Sequence, residues 1–125
     1  LQVLVDKDRI IQVVINLISN AAKFCDVNNG QIDVSVFQQE GEACVQVTDN
    51  GGGIAKSEQS RIFDKFHQVS DVQDGKPRGS GLGLSICRRI IEYHGGRIWV
   101  ESELGQGTAV VFALPLKAEE TLKEN

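Results

Sequence analysis

Residues 6–24 carry apolar side chains at the spacing of an α-helix, over an unusually broad arc. At about 100° per residue, the arc contains these positions: Ile10, Ile11, Val13, Val14, Leu17, Ile18, Ala21 and Ala22. A helix with so wide an apolar face is expected to be mostly buried, and burial requires a second layer of structure against it. Asp6 or Asp8 suits the start of this helix, because a carboxylate interacts favourably with the N-terminal dipole.

The polar arc of the same helix is narrow, and two Asn residues lie at its centre. Its members are Arg9, Gln12, Asn16, Asn20 and Lys23. Asn is a poor helix former in mid-helix, because its side chain competes with the backbone for hydrogen bonds. Amide oxygens can ligate a hard cation such as Mg²⁺, and a lysine can neutralise a phosphate. The stripe is therefore either a solvent-exposed face or the polar wall of a cavity, and the helix alone does not decide between them.

The rest of the chain alternates between strand and helix patterns. Apolar and polar residues alternate over 32–36, and a short glycine-containing connection leads to an apolar run over 44–47, which predicts a hairpin. Residues 1–5 are compatible with a strand, and the polar segment 67–78 is expected to be mobile. The other expected elements are a short helix within 56–66, a helix over 80–94 that Gly95 ends, and strands over 97–102 and 108–116.

These elements predict an α/β (α+β) two-layer sandwich, with a mixed β-sheet covered on one face by about three helices. A doubly wound fold needs strict alternation of strands and helices, and the two expected hairpins count against it. With 125 residues, of which 41% are hydrophobic, the chain is expected to form one domain over 1–116 and a charged, frayed tail over 117–125. No apolar run approaches the ~20 residues that a bilayer requires, so no membrane insertion is expected.

Charge and cysteine content exclude several kinds of protein. The 13 basic residues stand against 17 acidic ones, and this net charge of -4 argues against nucleic-acid binding, which requires a basic face. The 3 cysteines, Cys25, Cys44 and Cys87, are widely spaced and form no Cys-x-x-Cys pair, so neither a zinc site nor a disulfide framework is expected. They are predicted to be reduced, buried thiols of a cytoplasmic protein.

A first glycine-rich segment follows the expected strand that ends near Asp49. Asp49 and Asn50 precede three successive glycines and then Ile54. Glycines permit positive φ angles and a close approach of the backbone to a ligand, and the Asp49 carboxylate could accept hydrogen bonds from an amine-bearing ligand. A glycine-rich turn with Asp as its turn former explains the same residues, and taken alone that interpretation is slightly favoured.

A second glycine-rich segment opens the expected helix over 80–94. Gly79, Gly81 and Gly83 alternate with other residues there. Unpaired N–H groups at a helix N-terminus bind phosphate, and glycines let the backbone approach it. No Gly-Lys-Ser/Thr sequence follows, which excludes a P-loop, and no strand directly precedes, which weakens a dinucleotide-binding interpretation.

Taken in order, these segments resemble the ATP-binding domain of sensor histidine kinases, a branch of the Bergerat-fold ATPases. The resemblance extends over about residues 4–115. Its parts are an N box at 16–24, a first glycine box at 49–54, an F box at 61–66, a second glycine box at 79–84 and a closing pattern over 105–115. The resemblance implies that the chain binds ATP and Mg²⁺, and that it transfers the γ-phosphoryl group to a histidine.

The resemblance also implies roles for individual residues. Asn20 is implied to coordinate Mg²⁺ with Asn16 beside it, and Lys23 to contact phosphate, so these three are the expected catalytic residues. Asp49 is implied to accept a hydrogen bond from the adenine amino group, with Thr108 nearby. The other implied nucleotide contacts are Phe24, Gly51, Gly53 and Ile54, and, at the end of an ATP lid over 67–80, Gly79, Ser80, Gly81, Leu82, Gly83 and Leu84.

The acceptor histidine implied by the resemblance is not in this chain. An acidic residue follows the acceptor in that family, whereas Gln68 follows His67 and Gly95 follows His94. The resemblance therefore implies transfer to separate dimerisation and phosphoacceptor helices of the full-length protein, and from there to the receiver domain of a response regulator. It implies a cytoplasmic domain, whether or not the parent protein is anchored in a membrane.

Besides a degenerate module that senses nucleotide without transfer, against which the intact boxes argue, two alternatives share the implied fold. One is a nucleotide-gated conformational ATPase, which carries a Glu where Asn16 stands, so that a water molecule can be activated for hydrolysis. The other is a serine kinase, against which the F box argues. The Asn at position 16 favours the histidine kinase over the first alternative.

Overall fold

The computed structural model describes residues 3–64 and 83–117. The predicted lid at 67–80, most of the second glycine box and the tail beyond 117 lie outside these described residues. The elements are α1 (Lys7–Phe24), β1 (Ile32–Gln39), β2 (Glu42–Asp49), α2 (Lys56–Gln59), α3 (Gly83–Tyr93), β3 (Arg97–Ser102) and β4 (Thr108–Pro115). Within the described part, no helix is both long and apolar enough to cross a bilayer.

Helix α1 begins and ends where its side chains and backbone supply caps. The Asp6 carboxylate accepts a hydrogen bond from the Arg9 amide at 3.3 Å, which confirms Asp6 as the N-cap. At the other end, the Cys25 amide donates to the Ala21 carbonyl at 2.9 Å, and the chain then becomes extended. The helix therefore ends next to the loop that leads into β1.

The four described strands form one sheet in the order β1-β2-β4-β3. The two-layer fold class is confirmed, but all three strand pairings are antiparallel, so the expectation of a mixed sheet is wrong for the described strands. The reason lies in the placement of β4. Strands β2 and β3 run in the same direction, but β4 lies between them and is antiparallel to both.

The β1–β2 hairpin sets the register of the sheet. Glu40 and Gly41 have positive φ angles of 47° and 80°, and they connect Gln39 to its partner Glu42. Two left-handed residues are typical of a two-residue type I′ turn, whose twist matches that of the strands. The predicted hairpin is thus confirmed, and its register carries Asp49 to the far end of the sheet, opposite Ile32.

Helices α1 and α3 pack together on one face of the sheet. The core contains Val13 and Leu17 from α1, Cys87 and Ile91 from α3, and Phe112 from β4. Phe112 is fully buried, and burial of such a side chain contributes about 2–3 kcal/mol to folding.

A smaller cluster lies on the opposite face of the sheet, where Phe37 and Trp99 cover Cys44, Val111 and Ala113. Trp99 is therefore a packing residue, as its strand position predicts. The cysteine prediction is confirmed for Cys44 and Cys87, which are buried and free, but Cys25 is only half-buried.

Helix α1 is less buried than its broad apolar arc predicts. Val13, Leu17 and Ala21 are buried, whereas Ile11 and Ile15 remain 45% and 59% exposed. Helix α1 contacts the sheet and α3, and a helix at the surface buries only the stripe that faces its neighbours. The expectation that this helix is mostly buried is therefore wrong within the described part of the molecule.

Candidate functional site

Three polar side chains share one row across the end of the sheet. Asp49 pairs with Thr108, and Thr108 pairs with Ser102. Side chains alternate along a strand, so these residues lie on the same face as Val47 and Val110, which belong to the core beneath the helices. Asp49 and Thr108 are only 7% and 8% exposed. The row is thus a buried polar edge on an otherwise apolar face.

The Asp49 carboxylate is only partly satisfied by the protein. Its Oδ1 atom accepts a hydrogen bond from the Gly51 amide at 2.8 Å, and no other bond to this side chain occurs within 3–64 and 83–117. Burial raises the pKa of Asp49, and the bond from Gly51 partly opposes that shift. A buried carboxylate with unused lone pairs is suited to accept hydrogen bonds from a ligand amine.

The glycines after Asp49 are required by close contacts within the protein. A Cβ atom on Gly51 would overlap the carbonyl of Phe24, and one on Gly53 would overlap the carbonyl of Glu103. Gly53 also has a positive φ angle of 80°. This loop therefore packs directly between the end of α1 and the β3–β4 turn, while a role for these glycines toward a nucleotide base stays a prediction.

Asn50 connects this loop to the turn after α1, and sequence reasoning missed its role. Its Oδ1 atom accepts hydrogen bonds from the amides of Asp26 and Gln31 at 3.1 and 3.0 Å, and its Nδ2 atom donates to the Asn29 carbonyl at 2.6 Å. An Asn beside glycines is typical of a turn, so the sequence contains no sign of these partners. The bonds hold the C-terminal end of α1 beside the end of β2.

Ser102 and Gln59 hold the opposite side of the loop, and neither was identified from the sequence. The Ser102 Oγ atom accepts a hydrogen bond from the Ile54 amide at 2.8 Å. Gln59 Nε2 donates to the carbonyls of Ile54 and Ser102 at 2.7 and 2.8 Å. Side chains from α2 and β3 therefore hold the Ile54 backbone, while the role of Ile54 as an apolar wall stays a prediction.

The polar stripe of α1 divides between two surroundings. Asn16 is half-buried. Burial raises the pKa of the Cys87 thiol on α3 to about 11, the Asn16 side chain partly opposes that shift, and the thiol donates a hydrogen bond to the Val13 carbonyl at 3.8 Å. Asn20 is also half-buried, but its carboxamide makes no hydrogen bond within the described part. Lys23 is exposed in the last turn. The stripe is therefore not simply a solvent-exposed face, and a role for Asn20 toward a ligand stays a prediction.

The donor set near Asn20 fits one mode of Mg²⁺ binding. Among residues 3–64 and 83–117, no group of three or more His, Cys, Asp and Glu side chains could hold a metal ion. Mg²⁺ retains several waters and is commonly held by few protein oxygens together with substrate phosphates. A single free carboxamide fits such an ion if it arrives with a phosphate-bearing ligand.

The start of α3 carries the two described residues of the second glycine box. Gly83 begins the helix and is exposed. Leu84 is half-buried and packs against the main core, so it has a structural role besides any predicted contact with a nucleotide. Gly79, Ser80, Gly81 and Leu82 lie outside the described residues.

Gly107 offers a direct test of the packing at this site. Its φ angle is 84°, and a Cβ atom there would overlap the carbonyl of Asp49. We expect Gly107→Ala to lower the free energy of unfolding by about 3 kcal/mol, because it combines backbone strain with a clash. Gly105→Ala is the matched control, since Gly105 has a φ angle of 80° and no atom within 4 Å of the added Cβ. Urea denaturation should show a larger loss in the free energy of unfolding for Gly107→Ala than for Gly105→Ala. An equal loss in both variants would mean that the clash is absent.

Comparisons with known proteins agree with this arrangement. Residues 5–118 match the family described as histidine kinase-, DNA gyrase B-, and HSP90-like ATPase. The sensor histidine kinase WalK of Bacillus subtilis (strain 168) is 39% identical over 122 residues, which cover 96% of this chain. The chain spans only 20% of the length of WalK.

Solved structures of histidine kinases are also similar to this chain in their three-dimensional fold. The catalytic domain of histidine kinase ThkA has a TM-score of 0.74 and 38% sequence identity, over 90% of this chain and 70% of that one. Full-length ShkA in complex with AMPPNP has a TM-score of 0.78 and 33% identity, over 94% of this chain and 23% of that one. This chain therefore belongs to the histidine kinase-, DNA gyrase B-, and HSP90-like ATPases, as an ATP-binding catalytic domain of the sensor histidine kinase type.

Proposed function

We propose that this domain binds ATP with Mg²⁺ and transfers the γ-phosphoryl group to a histidine on dimerisation and phosphoacceptor helices outside this chain. The observation that carries the proposal is the buried, partly satisfied carboxylate of Asp49, which lies beside Thr108 and next to the end of α1. The similarity to ShkA, whose structure contains the adenine nucleotide AMPPNP, supports ATP as the ligand.

Each part of the site has a role in this proposal. Asp49 accepts a hydrogen bond from the adenine amine, and Phe24 lines the pocket at the end of α1. Asn20 would hold the metal ion, and Lys23 would neutralise phosphate charge. Mg²⁺, when bound, supplies further charge neutralisation. Such a site suits phosphoryl transfer, which depends largely on positioning and on electrostatic stabilisation.

Two observations bear on where the phosphoryl group goes. The Nε2 atom of His94 accepts a hydrogen bond from the Asp6 amide at 3.0 Å, and its Nδ1 atom lies 2.8 Å from the Ile90 carbonyl. Both ring nitrogens are therefore engaged, which argues against His94 as an acceptor. Asn16 carries a carboxamide, which cannot act as a general base for water, and this favours transfer over hydrolysis.

The proposal extends to partners and location. The separate helices belong to the full-length protein, and the receiver domain of a response regulator takes the phosphoryl group from them. The domain works in the cytoplasm and does not itself enter a membrane. The net charge of -4 is consistent with partners that are not nucleic acids.

Calorimetry with ATP, with and without Mg²⁺, tests the binding step. We expect saturable binding that Mg²⁺ strengthens. Adding the phosphoacceptor domain of the full-length protein should then yield acid-labile, base-stable phosphate on that domain. Rapid ATP hydrolysis by the chain alone, without phosphate on the acceptor, would instead support a conformational ATPase.

A further inference from the structure

The Ser102 hydroxyl group carries one proton and lies within hydrogen-bonding distance of three polar groups. Its Oγ atom accepts from the Ile54 amide and lies 2.8 Å from the Gly107 carbonyl oxygen and 2.8 Å from the Thr108 Oγ1 atom. A serine hydroxyl carries one proton and two acceptor lone pairs. The direction of each hydrogen bond around Ser102 is therefore constrained.

The Gly107 carbonyl decides that direction. It has no proton, so two oxygen atoms at 2.8 Å are attractive only if the Ser102 proton lies between them. Ser102 thus donates to Gly107, and its lone pairs accept from the Ile54 amide and from the Thr108 hydroxyl. The proton of Thr108 consequently points toward Ser102.

Because its proton is donated to Ser102, the Thr108 hydroxyl can only accept hydrogen bonds from a ligand beside it. Its partner in the neighbouring strand is Asp49, whose carboxylate can only accept hydrogen bonds. Directly paired residues on one face of a sheet have neighbouring side chains. The polar edge formed by Asp49 and Thr108 therefore presents acceptors and no donor.

We propose that Ser102 is a specificity-determining positioning residue, which orients the Thr108 hydroxyl so that this edge selects a purine with an exocyclic amine over one with a carbonyl at the same position. The inference rests on the proposed binding of ATP and adds a reason for its base specificity. An amine supplies hydrogens to both acceptors, whereas a carbonyl oxygen faces their lone pairs and forms no hydrogen bond.

The test is the ratio of the dissociation constants for ITP and ATP, measured by calorimetry on the full chain. ITP carries a carbonyl where ATP carries the amine. We expect the wild type to prefer ATP, and Ser102→Ala to reduce that preference about tenfold, the effect of roughly one hydrogen bond. Without Ser102, the Thr108 hydroxyl can rotate and donate to a carbonyl. Ser102→Thr, which retains the hydroxyl, should retain the preference.

A purely structural role predicts a different result. If Ser102→Ala weakens ATP and ITP binding by the same factor, the ratio stays constant and the inference is wrong, although the proposed function stands. If the wild type binds no ATP, the proposed function fails and the inference fails with it. Ser35→Ala, at an exposed serine on β1, is the matched control and should leave the ratio unchanged.

A second variant tests the same orientation without altering Ser102. Thr108→Val keeps the shape of the side chain but removes its hydroxyl. Our assignment predicts weaker ATP binding with ITP binding unchanged or strengthened. A larger loss for ITP than for ATP would mean that Thr108 is a donor, which overturns the inference even if Ser102→Ala does not fold.

Discussion

Asp49→Asn is expected to weaken ATP binding by about 10- to 100-fold, the usual value of a hydrogen bond to a charged group. The variant keeps the shape of the side chain but loses the negative charge and one of the two acceptor oxygens, the other of which accepts from the Gly51 amide. Calorimetric titration with ATP measures the loss.

The matched control is Asp33→Asn. Asp33 lies at the same end of the sheet but is exposed, so the same change of charge there should leave ATP affinity nearly unchanged. An equal loss in both variants would mean that net charge, rather than contact at Asp49, determines affinity.

Although Asp49→Asn should weaken ATP binding, it should not lower the stability of the domain near neutral pH. Burial raises the pKa of Asp49 above its ordinary value of 3.8, so the folded protein holds the proton more tightly than the unfolded chain does. The contribution of this group to stability is therefore present at low pH and is lost as the pH rises through the raised pKa. Near neutral pH the Asn variant should be at least as stable as the wild type, and it should lack this part of the pH dependence.

Asn20→Ala is expected to remove the Mg²⁺-dependent part of ATP affinity and to reduce phosphoryl transfer by about 10²- to 10³-fold, as the loss of a preorganised electrostatic contact commonly does. The reason is that Asn20, whose carboxamide makes no hydrogen bond to residues 3–64 or 83–117, is the proposed ligand of the ion. Titrations with and without Mg²⁺, and the rate of phosphate transfer to the acceptor domain, measure the two effects.

We expect Asn20→Ala to impair ATP binding and phosphoryl transfer without lowering the stability of the domain. The Asn20 carboxamide makes no hydrogen bond within the described part, and Ala is the better helix former, so stability should rise by up to ~0.7 kcal/mol. Ser19→Ala changes an exposed polar residue on the same helix and is the control for helix propensity. If Asn20→Ala transfers phosphate at the wild-type rate, the assignment of Asn20 to the site is wrong.

Local patterns in the sequence were sufficient for much of the fold. The apolar periodicity and Asp6 located α1, and the glycine-containing connection located the β1–β2 hairpin. These features depend on residues a few positions apart, whose preferences act in any context. The position of Asp49 at a strand end before glycines likewise marked it as a candidate ligand contact.

The sequence by itself therefore determined the helices, most strands and the family resemblance, because each depends on short-range spacing. Tertiary structure alone decided that β4 separates two parallel strands, and that α1 leaves Ile15 exposed. It also decided the partners of Asn50 and Ser102, which bond to residues as many as 24 and 48 positions away. A polar side chain does not encode which distant backbone group will satisfy it, since that depends on which chain segments the packed core brings together.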